Sequence, residues 1–192
     1  MSTGGEAERV SAWNLPNILT SVRILMVPLF AWALWAGGPW GGDSATARWI
    51  AVALFAAAMY TDKLDGDIAR ARGLVTDFGK IADPIADKAL MITALVTLNI
   101  ASTLPVWVTV VIVIRELGIT VWRFAMLRRG QVVPASKGGK LKTALQTLAV
   151  GLYLCPLPGW MDTPTYVVML VAAAVTVVTG VQYLIDARKV NQ

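Results

Sequence analysis

Asp62-Lys-Leu-Asp65-Gly66-Asp-Ile-Ala69-Arg70, eight further residues, and then Gly79-Lys-Ile-Ala-Asp83-Pro-Ile-Ala-Asp87 form the stretch on which the fold turns. Asp62 and Asp65 are spaced i, i+3, and Asp83 and Asp87 are spaced i, i+4. On helices each pair shares a face. A short loop separates the two segments, which makes the helices neighbours. An apolar run over about residues 47–70 leads into the joint, and another over about 78–100 leads out of it. The stretch therefore reads as the polar joint of an apolar helical hairpin, with four carboxylates converging at one end. Gly66, Ala69 and Gly79 clear space on the same faces, and Arg70 ends the first helix where it can pair with a phosphate.

The rest of the 192 residues fits this hairpin into a larger bundle. The chain is 56% hydrophobic and 15% charged, with a mean hydropathy of +0.62. A soluble domain carries about 25% charged residues, so the composition points to a membrane protein. A spanning helix needs about 20 mostly apolar residues. Besides the two runs of the hairpin, candidate spans cover about 18–36, 104–127, 141–157 and 165–186. The expectation is an all-α integral membrane bundle of six transmembrane helices forming a single domain over residues 1–192. Residues 2–13 fit a short N-terminal surface helix or a frayed tail equally well. Gly37-Gly38-Pro39-Trp40 offers no small-x-small cleavage site, so the first run reads as a retained span.

Six spans put both termini on one side, and charge selects the cytosol. With that orientation, the outer connections 37–47, 101–104 and 158–164 contain no Lys or Arg, and Arg48 is the basic residue nearest to them. The inner segments hold Arg9, Arg70, Arg72, Arg128, Arg129, Lys137, Lys140, Arg188 and Lys189. Trp35, Trp40, Trp49, Trp107 and Trp160 fall near the outer ends, as an interfacial belt does. Arg128, Arg129, Arg188 and Lys189 read mainly as anchors for anionic lipid, Lys137 and Lys140 as anchors or ligands equally, and no nucleic-acid partner is expected.

The chain has no histidine and one cysteine, Cys155. That excludes a Ser-His-Asp triad, His-ligated zinc or haem, an intramolecular disulfide and a thiolate cluster. Acid–base or metal chemistry falls to carboxylates. Four like charges just inside a membrane repel one another and are poorly solvated. Two divalent cations balance their formal charge. All-oxygen ligation favours Mg²⁺ or Mn²⁺, and a pair of such ions forms the clamp used in phosphoryl chemistry. A cation transporter would need polar groups continuing across the bilayer, whereas the outer halves of the spans are almost uncharged.

The motif Asp-x-x-Asp-Gly-x-x-Ala-Arg, eight residues, Gly-x-x-x-Asp-x-x-x-Asp resembles the signature of the CDP-alcohol phosphatidyltransferase family. The resemblance implies six membrane helices, a cytosol-facing cavity, two divalent metals and a homodimer. It implies that Asp62, Asp65, Asp83 and Asp87 surround the metals and that Asp87 is the general base. It sets Gly66, Ala69, Arg70, Gly79, Asn17 and Thr20 around the CDP moiety. Asn14-Leu-Pro-Asn17-Ile-Leu-Thr20-Ser-Val-Arg23, Val75-Thr-Asp-Phe-Gly-Lys80, Arg115-Glu116 and Gly139-Lys-Leu-Lys-Thr143 resemble bacterial members that use glycerol 3-phosphate. Lys63 departs from them, where an aromatic is frequent. The implied reaction joins CDP-diacylglycerol to sn-glycerol 3-phosphate in the bacterial inner membrane, giving phosphatidylglycerophosphate and CMP. Inositol phosphate, serine or phosphatidylglycerol are the alternative acceptors, because the signature reads only the CDP half.

A phosphorylated acceptor also follows from charge. Arg115 lies about ten residues into its span, or about 15 Å deep, an expensive place for a cation. Arg123 lies eight residues further on, nearer the cytosol. The loop 128–142 adds Lys137, Lys140 and Lys142 around Ser136. Arg115, Arg123, Ser136, Lys137 and Lys140 are therefore the candidate acceptor-phosphate residues, with pairing of Arg115 to Glu116 or to a neighbouring helix the competing reading. Arg23, near the inner end of the first span, either snorkels to the interface or contacts the nucleotide.

Overall fold

A long apolar run satisfies its own backbone donors and acceptors only as a helix or in a closed sheet. In this chain the runs become helices. The computed structural model describes residues 15–36, 44–72, 77–101, 103–128 and 137–189, and among them there is no strand. The helices are α1 (Leu15–Trp35), α2 (Ala45–Arg72), α3 (Asp77–Ile100), α4 (Val106–Arg128), α5 (Lys137–Leu154) and α6 (Asp162–Lys189), with a 3₁₀ turn at Gly159–Met161 before α6. The region expected to be a surface helix or a frayed tail, residues 2–13, lies outside the described residues.

Helix ends follow proline chemistry. α4 begins directly after Pro105, and α5 stops at Leu154 because Pro156 and Pro158 follow. That is three residues short of the apolar run. At its other end α5 starts at Lys137 rather than at Leu141. The segment 128–142, expected to be a loop throughout, is therefore helical from Lys137 onward. Pro28 and Pro84 both sit inside helices.

α1 packs against α2 and α3, α5 against α6, and α4 against α6 and α3, while α2 and α3 each also touch α5. Small side chains permit this closeness. Ala33, Ala51, Ala58, Ala94, Ala149 and Ala172 are all buried, and helices without a strong hydrophobic drive between them associate through such close approach. Larger residues fill the remaining space. Phe30 and Phe55 stack in a tilted pair with centroids 6.0 Å apart, beside Leu90, Leu95 and Leu98. A buried polar link ties α5 to α6: Gln146 Nε2 donates to Thr176 Oγ1 at 2.8 Å, and that hydroxyl donates to the Ala172 carbonyl at 2.6 Å.

The outward faces are apolar. Trp32, Ile114 and Val121 are each about two-thirds exposed, and exposed Leu, Ile or Val residues recur on every helix. Contiguous apolar exposure on this scale marks a surface made to be covered. α1 over Asn17–Trp35 and the segment Gly159–Asp186 are each long and apolar enough to cross a membrane. The other helices carry charge within their apolar lengths, such as Asp87 and Lys88 on α3 or Arg115 and Glu116 on α4.

Replacing Leu95, which is fully buried, with alanine is expected to destabilise the bundle by about 2–5 kcal/mol. The same truncation at Leu148, which is half exposed, should change stability little. Thermal unfolding of the two variants in detergent reads the difference.

Candidate functional site

The α2–α3 hairpin carries the acidic motif to one end of the bundle. Asp62 and Asp65 lie in the last turns of α2, and Asp83 and Asp87 in the first turns of α3. A cavity of about 990 Å³ opens at this end and reaches from the hairpin across to α4, α5 and α6. Asp62 and Asp87 both line it, so the hairpin does bring a carboxylate from each helix to one space. The side chains of Asp65, Ala69, Arg70, Gly79 and Asp83 lie outside the described residues. Gly66 is half-buried on α2.

Arg23 reaches this end from α1. Its Nη1 donates to Asp62 Oδ1 at 2.6 Å, and its side chain is fully buried while that of Asp62 remains 40% exposed. Of the two readings of Arg23, snorkelling to the interface does not fit a fully buried side chain. A guanidinium with no solvent access needs an anionic partner, and Asp62 supplies one across the α1–α2 contact. Thr20 and Asn17, about one and two turns before Arg23 on α1, are likewise buried.

The opposite wall is basic. Arg115 and Arg123 on α4, with Lys140 and Lys142 on α5, line the same cavity. Three of the expected acceptor residues, Arg115, Arg123 and Lys140, are thus brought together. Ser136 and the side chain of Lys137 lie outside the described residues.

Glu116 and Lys142 were not among the residues the sequence singled out for the acceptor, yet they form the centre of this wall. Lys142 Nζ donates to Glu116 Oε1 at 2.6 Å, and Arg115 Nη1 donates to the same oxygen at 3.1 Å. All three side chains are at least 85% buried. The pairing of Arg115 with Glu116 is therefore real, but Arg115 stays on the cavity wall, and its Nε has no hydrogen-bond partner among the described residues. A readable signal existed for Lys142. It continues the buried stripe of α5 through Gln146, Ala149, Val150 and Leu154, at the helical spacing of an inward face.

The far end of the bundle is built differently. Arg48, the basic residue nearest the outer connections, donates from Nη2 to the Cys155 carbonyl at 3.0 Å. It thereby satisfies a backbone acceptor just past the end of α5, the usual role of a basic side chain at a helix C-terminus. Trp35, Trp49, Trp107 and Trp160 are exposed around this end.

The donor chemistry at the acidic end suits hard divalent cations. Asp62 and Asp87 face one cavity from two helices and offer only carboxylate oxygens, the ligand type of Mg²⁺ and Mn²⁺. Cys155, the one thiol, lies at the far end. Among the described residues no three such ligands gather.

Comparison with known proteins gives the arrangement a context. A sequence model described as CDP-alcohol phosphatidyltransferase matches residues 13–178. A probable phosphatidylglycerophosphate synthase of Mycobacterium tuberculosis is 50% identical over 185 residues, covering 96% of this chain and 87% of the relative. A CDP-diacylglycerol–glycerol-3-phosphate 3-phosphatidyltransferase of Bacillus subtilis is 38% identical over 180 residues, covering 89% and 93%. One of the same name from Rickettsia felis is 32% identical, covering 92% and 96%.

The buried end of the Arg23–Asp62 pair carries a direct expectation. Arg23→Met should cost about 1.5–3 kcal/mol, the value of a charge-assisted hydrogen bond, and should lower turnover by releasing Asp62. Arg23→Lys, which keeps the charge, should recover part of both losses. Thermal midpoints and initial rates in detergent check the two variants side by side.

Proposed function

The chain belongs to the CDP-alcohol phosphatidyltransferase family, and from that premise we propose that it transfers the phosphatidyl group of CDP-diacylglycerol to sn-glycerol 3-phosphate. The products are phosphatidylglycerophosphate and CMP. The observation that carries this reading is a single cavity to which α2 and α3 bring the carboxylates Asp62 and Asp87, beside Lys63 and Lys88, and to which α4 and α5 bring Arg115, Arg123, Lys140 and Lys142 around Glu116. The acidic side suits a diphosphate held through cations, and the basic side suits an acceptor that is itself an anion. The names of the relatives from Bacillus subtilis and Rickettsia felis specify the same pair of substrates.

In this reading the six helices span the bacterial inner membrane, with both termini and the cavity on the cytosolic side. The apolar outward faces and the exposed Trp residues at the far end support it. The whole chain acts as one domain, working as a homodimer. The acyl tails of the donor remain in the bilayer while its head group enters the cavity. Glycerol 3-phosphate arrives from the cytosol, and its phosphate is received by Arg115, Arg123, Lys140 and the segment around Ser136 and Lys137.

Asp87 stands between these two halves. It lines the cavity beside Lys88, Glu116 and Lys142. The carboxylate takes the proton from the primary hydroxyl of the acceptor. The oxygen so freed attacks the phosphorus that carries the diacylglycerol, a new P–O bond forms, and the bond to CMP breaks. CMP leaves with the electron pair, and the proton on Asp87 passes to solvent. Two divalent cations held by Asp62, Asp65, Asp83 and Asp87 supply charge neutralisation for the diphosphate when bound. Gly66, Ala69, Arg70, Gly79, Asn17 and Thr20 belong to the CDP side of the site. Arg23 holds Asp62 in place from α1.

General-base help is worth about 10²–10⁴-fold in rate. Asp87→Asn keeps the size of the side chain and removes the base, so it should lower turnover by that factor while thermal unfolding stays near that of the parent. CMP release from the purified variant measures it, and wild-type turnover in that variant would contradict the assignment.

A further inference from the structure

α4 and α5 line one wall of the cavity, yet among the described residues they do not pack directly against each other. What crosses the space between them is the Lys142–Glu116 pair. Glu116 Oε1 accepts from two cations at once, Lys142 Nζ at 2.6 Å and Arg115 Nη1 at 3.1 Å. A lysine ordinarily carries its ammonium to water, but Lys142 is only 6% exposed. Its carboxylate partner is what keeps its charge in so enclosed a place.

Arg115 is fixed from a second side. Its stem crosses the bare backbone of Gly180 on α6, where an added Cβ would come 3.1 Å from Cγ and 3.4 Å from Nε. One guanidinium is thus confined between a carboxylate on its own helix and a side-chain-free notch on the next. The two cations are tied to a common oxygen, and the three-residue cluster retains a net positive charge. Arg123 and Lys140 line the same cavity.

We propose that Glu116 is a positioning residue for the acceptor: it sets the spacing and direction of Lys142 and Arg115 so that together they bracket the phosphate of the incoming phospho-alcohol. This rests on the transfer reaction proposed above and adds the residue that organises its acceptor half. Glu116 itself does not touch the reacting atoms. Its anionic oxygen prevents the two cations from repelling each other apart, and it leaves their remaining donors for phosphate oxygens.

The test is steady-state kinetics on the purified full chain in mixed micelles with Mg²⁺, varying each substrate at saturating concentrations of the other. Glu116→Gln should raise KM for glycerol 3-phosphate by about tenfold or more and leave KM for CDP-diacylglycerol within about twofold. Glu116→Asp, which restores the charge on a shorter stem, should recover part of the loss. Lys142→Met should raise the same KM, and the Glu116→Gln/Lys142→Met double variant should be far less impaired than the product of the two effects. Gly180→Ala keeps every charge and displaces only the Arg115 stem. It should raise the acceptor KM selectively as well, and Glu116→Asp with Lys142→Met carries the test if Glu116→Gln does not fold. Equal increases in both KM values, a fall in kcat alone, or unchanged kinetics would overturn the positioning role. Absence of glycerol 3-phosphate-dependent CMP release from the parent enzyme would instead overturn the reaction on which it rests.

Discussion

Charge buried at one end of an apolar bundle must be answered by opposite charge from another helix, and the architecture of this protein depends on that requirement. Arg23 is fully buried on α1 and is met by Asp62 from α2. Lys142 is buried on α5 and is met by Glu116 from α4. In a low-dielectric setting an unpaired ion is far more costly than an unpaired methyl group. Each pair therefore acts as a constraint on which helices meet and in what register, while alanine-lined contacts permit the close approach. Such pairs are weak as sources of net stability, and their value here lies in fixing positions.

Asp62 of the first pair and both members of the second line one cavity. On the hairpin side Asp62 and Asp87 line the cavity beside Lys63 and Lys88, and the two carboxylates offer oxygen ligands suited to cations and, through cations, to a diphosphate. On the α4–α5 side the cations outnumber the carboxylate, which leaves a place suited to a phosphate. Asp87 lies between the two. A reaction that joins one phosphate-bearing molecule to another needs such a division, because both substrates are anions and each must be neutralised separately. At the opposite end of the bundle Arg48 is engaged with the carbonyl of Cys155, and Trp35, Trp49, Trp107 and Trp160 are exposed.

Much of this arrangement was legible before any coordinates. The apolar runs and their proline boundaries located six helices to within a few residues, and the i, i+3 and i, i+4 spacing of the aspartates placed Asp62 and Asp87 at one end of a hairpin. Arg115 and Arg123 were legible because a cation within an apolar run is conspicuous. Other features were hidden for physical reasons. Glu116 is adjacent to Arg115, so it read as a local neutraliser, and its second partner is 26 positions away. Lys142 looked like the last residue of a loop until α5 proved to start at Lys137, which places it more than a turn inside the helix. Arg23 lies close enough to a helix end that snorkelling and a nucleotide contact read equally well, and only the packing of α1 on its neighbours shows it enclosed.

The central claim is that one cavity joins a CDP-activated lipid to a phosphorylated acceptor. The most direct measurement is CMP release by the purified protein supplied with CDP-diacylglycerol, Mg²⁺ and, in separate reactions, glycerol 3-phosphate, inositol phosphate, serine and phosphatidylglycerol. The account predicts release that depends on glycerol 3-phosphate and stays at background with the others. Release driven by another acceptor, with none from glycerol 3-phosphate, would contradict it.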